Sequence, residues 1–98
     1  MIRHIVFFTA RDPKDRETVF DGLSLLTQIP HKRHFEIGRN AKSDPIAGPE
    51  PDLVVYGEFD DAAQLAAFKA HPLYQRSIDI VRPLRDMRIA ADFLTDQA

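Results

Sequence analysis

The run Ile2-Arg3-His4-Ile5-Val6-Phe7-Phe8, at the start of a 98-residue chain, decides how the rest is read. Successive side chains of an extended strand point to opposite faces. Ile2, His4, Val6 and Phe8 therefore share one face, and Arg3, Ile5, Phe7 and Thr9 share the other. Both faces carry large apolar groups, as expected of a strand with something packed on each side. His4 falls among three apolar neighbours. A titratable ring there is either a hydrogen-bonded core histidine or the polar handle of a cavity.

Working outward, Asp12-Pro13 reads as a helix start, with Asp12 as N-cap and Pro13 at the first helical position. Val19, Leu23 and Leu26 recur at helical spacing and form its buried stripe, and Pro30 ends it. A second strand over residues 33–41 is polar enough to sit at a sheet edge. Residues 42–51, with Pro45, Gly48, Pro49 and Pro51, are read as an irregular, mobile flap. Leu53–Phe59 is a strongly β-prone third strand. Asp60 or Asp61 caps a helix carrying Leu65 and Phe68, which breaks at His71-Pro72 because a residue before proline is driven from helical geometry. Pro72 opens a further helix with Tyr74, Ile78 and Val81 on one face, stopped by Pro83. Residues 86–94 form the last strand.

The order β-α-β-β-α-β predicts an α+β, ferredoxin-like fold. It is a four-stranded antiparallel sheet with helices on one face, in one domain over residues 1–98. The helix-free face would leave large side chains of the first and third strands in water, so a second copy is expected to cover it. Two sheets facing each other would approximate a dimeric α+β barrel.

Composition narrows the function. Thirteen Lys and Arg against 15 Asp and Glu give a formal charge of −2, with no basic stripe for nucleic acid. No cysteine is present, which removes disulfides and thiolate chemistry. No segment approaches the roughly 18 apolar residues of a membrane span. A cytoplasmic protein with neither nucleic-acid nor membrane partners is expected. No phosphate loop, nucleophile elbow or cofactor signature is visible, so no cofactor is expected. The pair His31 and His34 has metal-like spacing but basic company, and no metal site is expected.

The candidate chemistry lies elsewhere. Phe68, His71 and Tyr74 are spaced by threes, so an aromatic ring, an imidazole and a phenol can face a common space. His71 precedes a helix start, where it serves either as a neutral base or as a satisfier of backbone groups. Asp92 is the only acid well inside the last strand. That strand pairs with the first, so Asp92 is placed to orient His4, or else to pair with Arg3 or Arg88.

Three marks then carry a family resemblance: the start Ile2–Phe8, the middle Leu65-x-x-Phe68-x-x-His71-Pro72-x-Tyr74, and the end Ala91-Asp92-Phe93. In this order and spacing the chain resembles the stress-responsive A/B barrel (Dabb) family along essentially its whole length. The resemblance implies a ferredoxin-like protomer, a dimer closed by facing sheets, and a cavity between sheet and helices lined by His4 and His71. One branch of that family contains plant polyketide cyclases, which close a chain by aldol chemistry with a tyrosine and a histidine around the His-Pro motif. Here the tyrosine position falls on Phe68, which has no hydroxyl, and a phenol stands instead at Tyr74.

Two functions follow. The first is a homodimer binding a small apolar or aromatic ligand, with Phe68, Asp92, Val6 and Phe8 as contacts. The alternative is a cofactor-independent acid/base enzyme acting next to a carbonyl through His4, His71 and Tyr74.

Overall fold

Strand β1 (Ile2–Ala10) lies inside a four-stranded sheet, between β3 (Leu53–Phe59) and β4 (Arg85–Leu94), with β2 (His34–Arg39) beyond β3. The computed structural model describes residues 1–44 and 48–96. All three pairings are antiparallel. The alternation read in β1 holds: Ile2, His4, Val6 and Phe8 are buried, and Phe7 is exposed. Helices α1 (Arg16–Ser24), α2 (Ala62–Ala70) and α3 (Pro72–Val81) complete the ferredoxin-like order. Their apolar residues Val19, Leu23, Leu65, Phe68 and Val81 join the inner face of the sheet in one core.

The helix starts follow local chemistry. The Asp61 carboxylate accepts from the Gln64 amide at 2.8 Å and caps α2. Asp12 caps as expected, but it starts a 3₁₀ turn, Pro13–Asp15, ahead of α1. The single helix expected up to Pro30 instead gives way after Ser24 to a second 3₁₀ turn, Leu25–Gln28. Hydroxyl groups there take up main-chain carbonyls, Ser24 donating to Phe20 and Thr27 to Ser24, and such bonds compete with helix geometry.

Two glycines allow close packing. A Cβ on Gly22 of α1 would stand 2.8 Å from Ile80 and 2.9 Å from Val81, so the bare backbone lets α1 and α3 approach. A Cβ on Gly57 would stand 2.9 Å from the Phe59 ring and 3.0 Å from the Phe35 ring. Gly57 thus makes room for a buried aromatic cluster. In it the Phe68 ring centre lies 5.1 Å from Phe35, 5.1 Å from Phe59 and 5.9 Å from Tyr74.

The expected closure into a barrel is corrected by the topology. The sheet order β2-β3-β1-β4 leaves β2 and β4 as open edges, with no further strand beside either among the described residues. A single closed barrel of the familiar kind needs about eight strands with matched tilt and stagger. Four strands make an open, ferredoxin-like sheet.

Opposite the helices, the other face carries Ile5 and Phe7 of β1, Val54 and Tyr56 of β3, and Ile89 and Phe93 of β4. Ile89 is 55% and Phe93 48% exposed. The Tyr56 hydroxyl donates to Glu58 at 2.6 Å, and this bond raises the phenol above its usual range. The flap read at 42–51 centres on residues 45–47, which lie outside the described residues. Among the described residues no helix is long and apolar enough to cross a membrane.

Because Gly57 sits under two rings, Gly57→Ala is expected to lose about 1–3 kcal/mol through overpacking. Chemical denaturation of the two proteins measures it.

Candidate ligand-binding site

Between the sheet and the helices lies a cavity of about 280 Å³. Its floor is the inner face of β1, where His4, Val6 and Phe8 follow one another, with Phe35 and Val55 beside them. Its roof is one face of α3, formed by Tyr74, Ser77, Ile78 and Val81, with Leu23 and Leu26 closing one side. The helical spacing that marks Tyr74, Ile78 and Val81 as one stripe therefore aims them at the open space as well as at the core.

His4 is the polar group of the floor. The antiparallel register sets it directly across from Asp92, and its Nδ1 is hydrogen-bonded to the Asp92 carboxylate. A carboxylate only accepts, so Nδ1 carries the proton, and in the neutral ring Nε2 is left as the acceptor. The His4 side chain is 6% exposed and that of Asp92 42%, so the pair reaches from the interior to the sheet surface. On its other side His4 meets the Phe59 ring edge-on at 6.2 Å.

Ser77 is the polar group of the roof. It is only 3% exposed and its hydroxyl has no protein partner among the described residues. Only Arg3 Nε is both sealed from water and unpartnered in that set. Ser77 and His4 both line the cavity, and neither the Ser77 hydroxyl nor His4 Nε2 has a protein partner among the described residues. Composition alone gave no reason to single out this serine; the signal was its place one turn after Tyr74.

Of the residues selected from sequence, His4, Val6, Phe8, Phe68 and Tyr74 line the cavity. Asp92 touches it only through His4. His71, expected to share a pocket with His4, is not among the residues that line this cavity. It stands at the N-cap of α3, where its Nδ1 accepts from the Leu73 amide at 3.1 Å, and its ring lies 6.3 Å from His31. The backbone before Pro72 turns extended, and a helix start needs an acceptor there. His71 meets that need, and the sequence spacing that linked it to Phe68 does not survive the break between two helices. Among the described residues no group of three or more His, Asp or Glu side chains is placed to hold a metal ion.

An open ferredoxin-like sheet with a buried histidine facing a mostly apolar cavity defines an α+β protein with a small-molecule-sized chamber. The chain belongs to the stress responsive A/B barrel domain family, whose model matches residues 2–95. It is similar to a dimeric ferredoxin-like protein of unknown function from Thermobifida fusca, at 28% identity over 96% of this chain and 90% of that one, with a TM-score of 0.78. It also resembles a Dabb-family protein with a ferredoxin-like fold from Mesorhizobium loti, 22% identical over 96% and 95% of the two chains, TM-score 0.78. A dimeric ferredoxin-like protein of unknown function from Jannaschia sp. is 20% identical over 96% and 98%, TM-score 0.76. No curated protein matches the chain.

The Asp92 bond fixes the His4 tautomer, so Asp92→Ala should release it. Nitrogen-15 shifts of the ring are expected to report a single Nδ1–H form in the wild type and a tautomer mixture in the variant.

Proposed function

We propose that the protein is a homodimer that binds a small apolar or aromatic molecule in the cavity between sheet and helices. The observation that carries the reading is His4, held by Asp92 through Nδ1 and with Nε2 unpartnered among the described residues, on the floor of a chamber whose other walls are mainly aliphatic and aromatic. Buried polar groups without partners are costly, and a ligand that donates to Nε2 while filling the chamber relieves that cost. Pockets that bind small molecules combine apolar walls with a few placed polar groups in this way.

The dimer forms through the helix-free face, where Phe7, Ile89 and Phe93 lie exposed. Contiguous apolar patches of more than a few hundred Å² are unusual on monomers. A two-fold axis through this face would bury each side chain twice. The related Thermobifida fusca protein is dimeric, which supports a dimer here.

A second reading has its own support. A histidine oriented by a carboxylate, opposite a phenol, is the equipment of cofactor-free proton transfer next to a carbonyl. In this form His4 removes the proton and Tyr74 holds the oxygen. His71 caps α3 through Nδ1 and takes no part in this form of the reading.

Two measurements test these readings. Phe7→Glu places a charge on the shared face and is expected to shift sedimentation from dimer to monomer, since each buried phenyl contributes about 1.5–3 kcal/mol. Unchanged dimers would rule that face out. Titration with acetophenone, a neutral aromatic ketone whose oxygen accepts from Tyr74, is expected to move the Tyr74 signals directly and the His4 signals through the nearby ring, and to leave His71 still. Tyr74→Phe should weaken that binding by about 0.5–1.5 kcal/mol through one lost neutral hydrogen bond.

A further inference from the structure

Three arginines gather at one end of the cavity, in a chain whose formal net charge is −2. Arg82 follows the last turn of α3, and Arg85 and Arg88 belong to β4; all three line the chamber. The ion pairs among the described residues employ Lys14, Arg16, Arg33, Arg39 and two histidines, and none of these three arginines. Arg88 lies over the Phe8 ring, 6.0 Å from its centre. Among the described residues the cluster has no paired counter-ion.

Its convergence depends on a backbone irregularity. Residues three apart in a regular strand point to opposite faces, which would turn Arg85 away from Arg88. Here Arg88 pairs with Phe8 and Arg85 with Ala10, so β4 holds one more residue than β1 over this stretch. Such a bulge re-aims a side chain, and Arg85 and Arg88 both line the same chamber. His4 lies four residues before Phe8 on β1, about 13 Å from the arginine end at strand spacing. The chamber is therefore long and graded, cationic at one end, aliphatic in the middle, with the imidazole and phenol at the other.

We propose that this cavity takes a small organic carboxylic acid, its carboxylate held by Arg82, Arg85 and Arg88 and its apolar body over Val6 and Phe8. This rests on the ligand-binding reading and adds the chemical class of the ligand. Guanidinium forks match carboxylates in two-point contacts, and a cleft with low-dielectric walls concentrates the field of unpaired charges. The volume limits the body. A cavity of about 150 Å³ holds benzene, so the observed 280 Å³ suits one ring, or a branched chain of similar bulk, with a short acidic arm. The far end of such a ligand points along the chamber toward Ser77, His4 and Tyr74, the groups there that can accept from or donate to a carbonyl or hydroxyl.

The test compares three probes on the whole protein: phenylacetate, its neutral isostere phenylacetamide, and acetate. Binding is followed through the His4 ring and Val6 methyl signals. Phenylacetate is expected to bind at least about tenfold more tightly than either of the others, since hydrogen bonds between ions exceed neutral ones. The advantage over the amide should fall with added salt. It should also disappear in the double variant Arg82→Gln, Arg88→Gln, while amide binding persists. Both side chains are exposed, so the fold tolerates their change. Equal binding of acid and amide would overturn the acid assignment and leave the ligand-binding reading standing. Acetate binding as tightly as phenylacetate would reduce the cluster to an anion patch and overturn it as well. Phenyl phosphate displacing phenylacetate at a tenth of its concentration would replace carboxylate by phosphate. Absence of binding by all three probes, with acetophenone also failing, would overturn both readings together.

Discussion

An imidazole on the buried face of a central strand needs a partner, and only a neighbouring strand in the right register supplies one. The hydrogen bond from His4 to Asp92 meets that need, and much of the molecule follows from it. A slip of one residue between β1 and β4 would send every β4 side chain to the opposite face. It would leave His4 unpaired in the core, at the cost of an unsatisfied buried polar group. With the register held, Ala90 and Arg88 fall beside Val6 and Phe8 on the cavity side, while Ile89, Ala91 and Phe93 fall on the helix-free side. A single polar contact thus sorts one strand into a chamber wall and an exposed apolar face.

The frame of this arrangement was legible in the chain because it rests on short-range rules. Alternation in Ile2–Phe8, the caps at Asp12 and Asp61, and the break at His71-Pro72 each act within a few residues. The pairing of His4 with Asp92 was readable one step further, because the topology brings the first and last strands together. The resemblance to the family added the expectation of a cavity. Its name also suggested a barrel, which the open order β2-β3-β1-β4 does not form.

What could not be read depends on longer-range geometry. His71 looked like a site residue because it is three positions from both Phe68 and Tyr74. The spacing has meaning only on a continuous helix, and proline ends that continuity. Ser77 gave no signal in composition, since its role comes from burial without a partner. The arginines were hidden by strand parity: positions 85 and 88 should face apart, and only the extra residue in β4 turns them together. Sites assembled across a helix end and a bulge leave no simple period in the sequence.

That bulge has another effect, on how the molecule meets its own copies. β4 is a ten-residue edge strand with an apolar tip at Leu94, and a long flat edge of this kind invites strand-by-strand polymerisation. The added residue bends and twists the strand near Met87, where the Thr9 hydroxyl takes up the backbone amide. A bent edge is a poor template for fibril growth. The irregularity that turns Arg85 and Arg88 to one side thereby also breaks the flatness of the exposed edge.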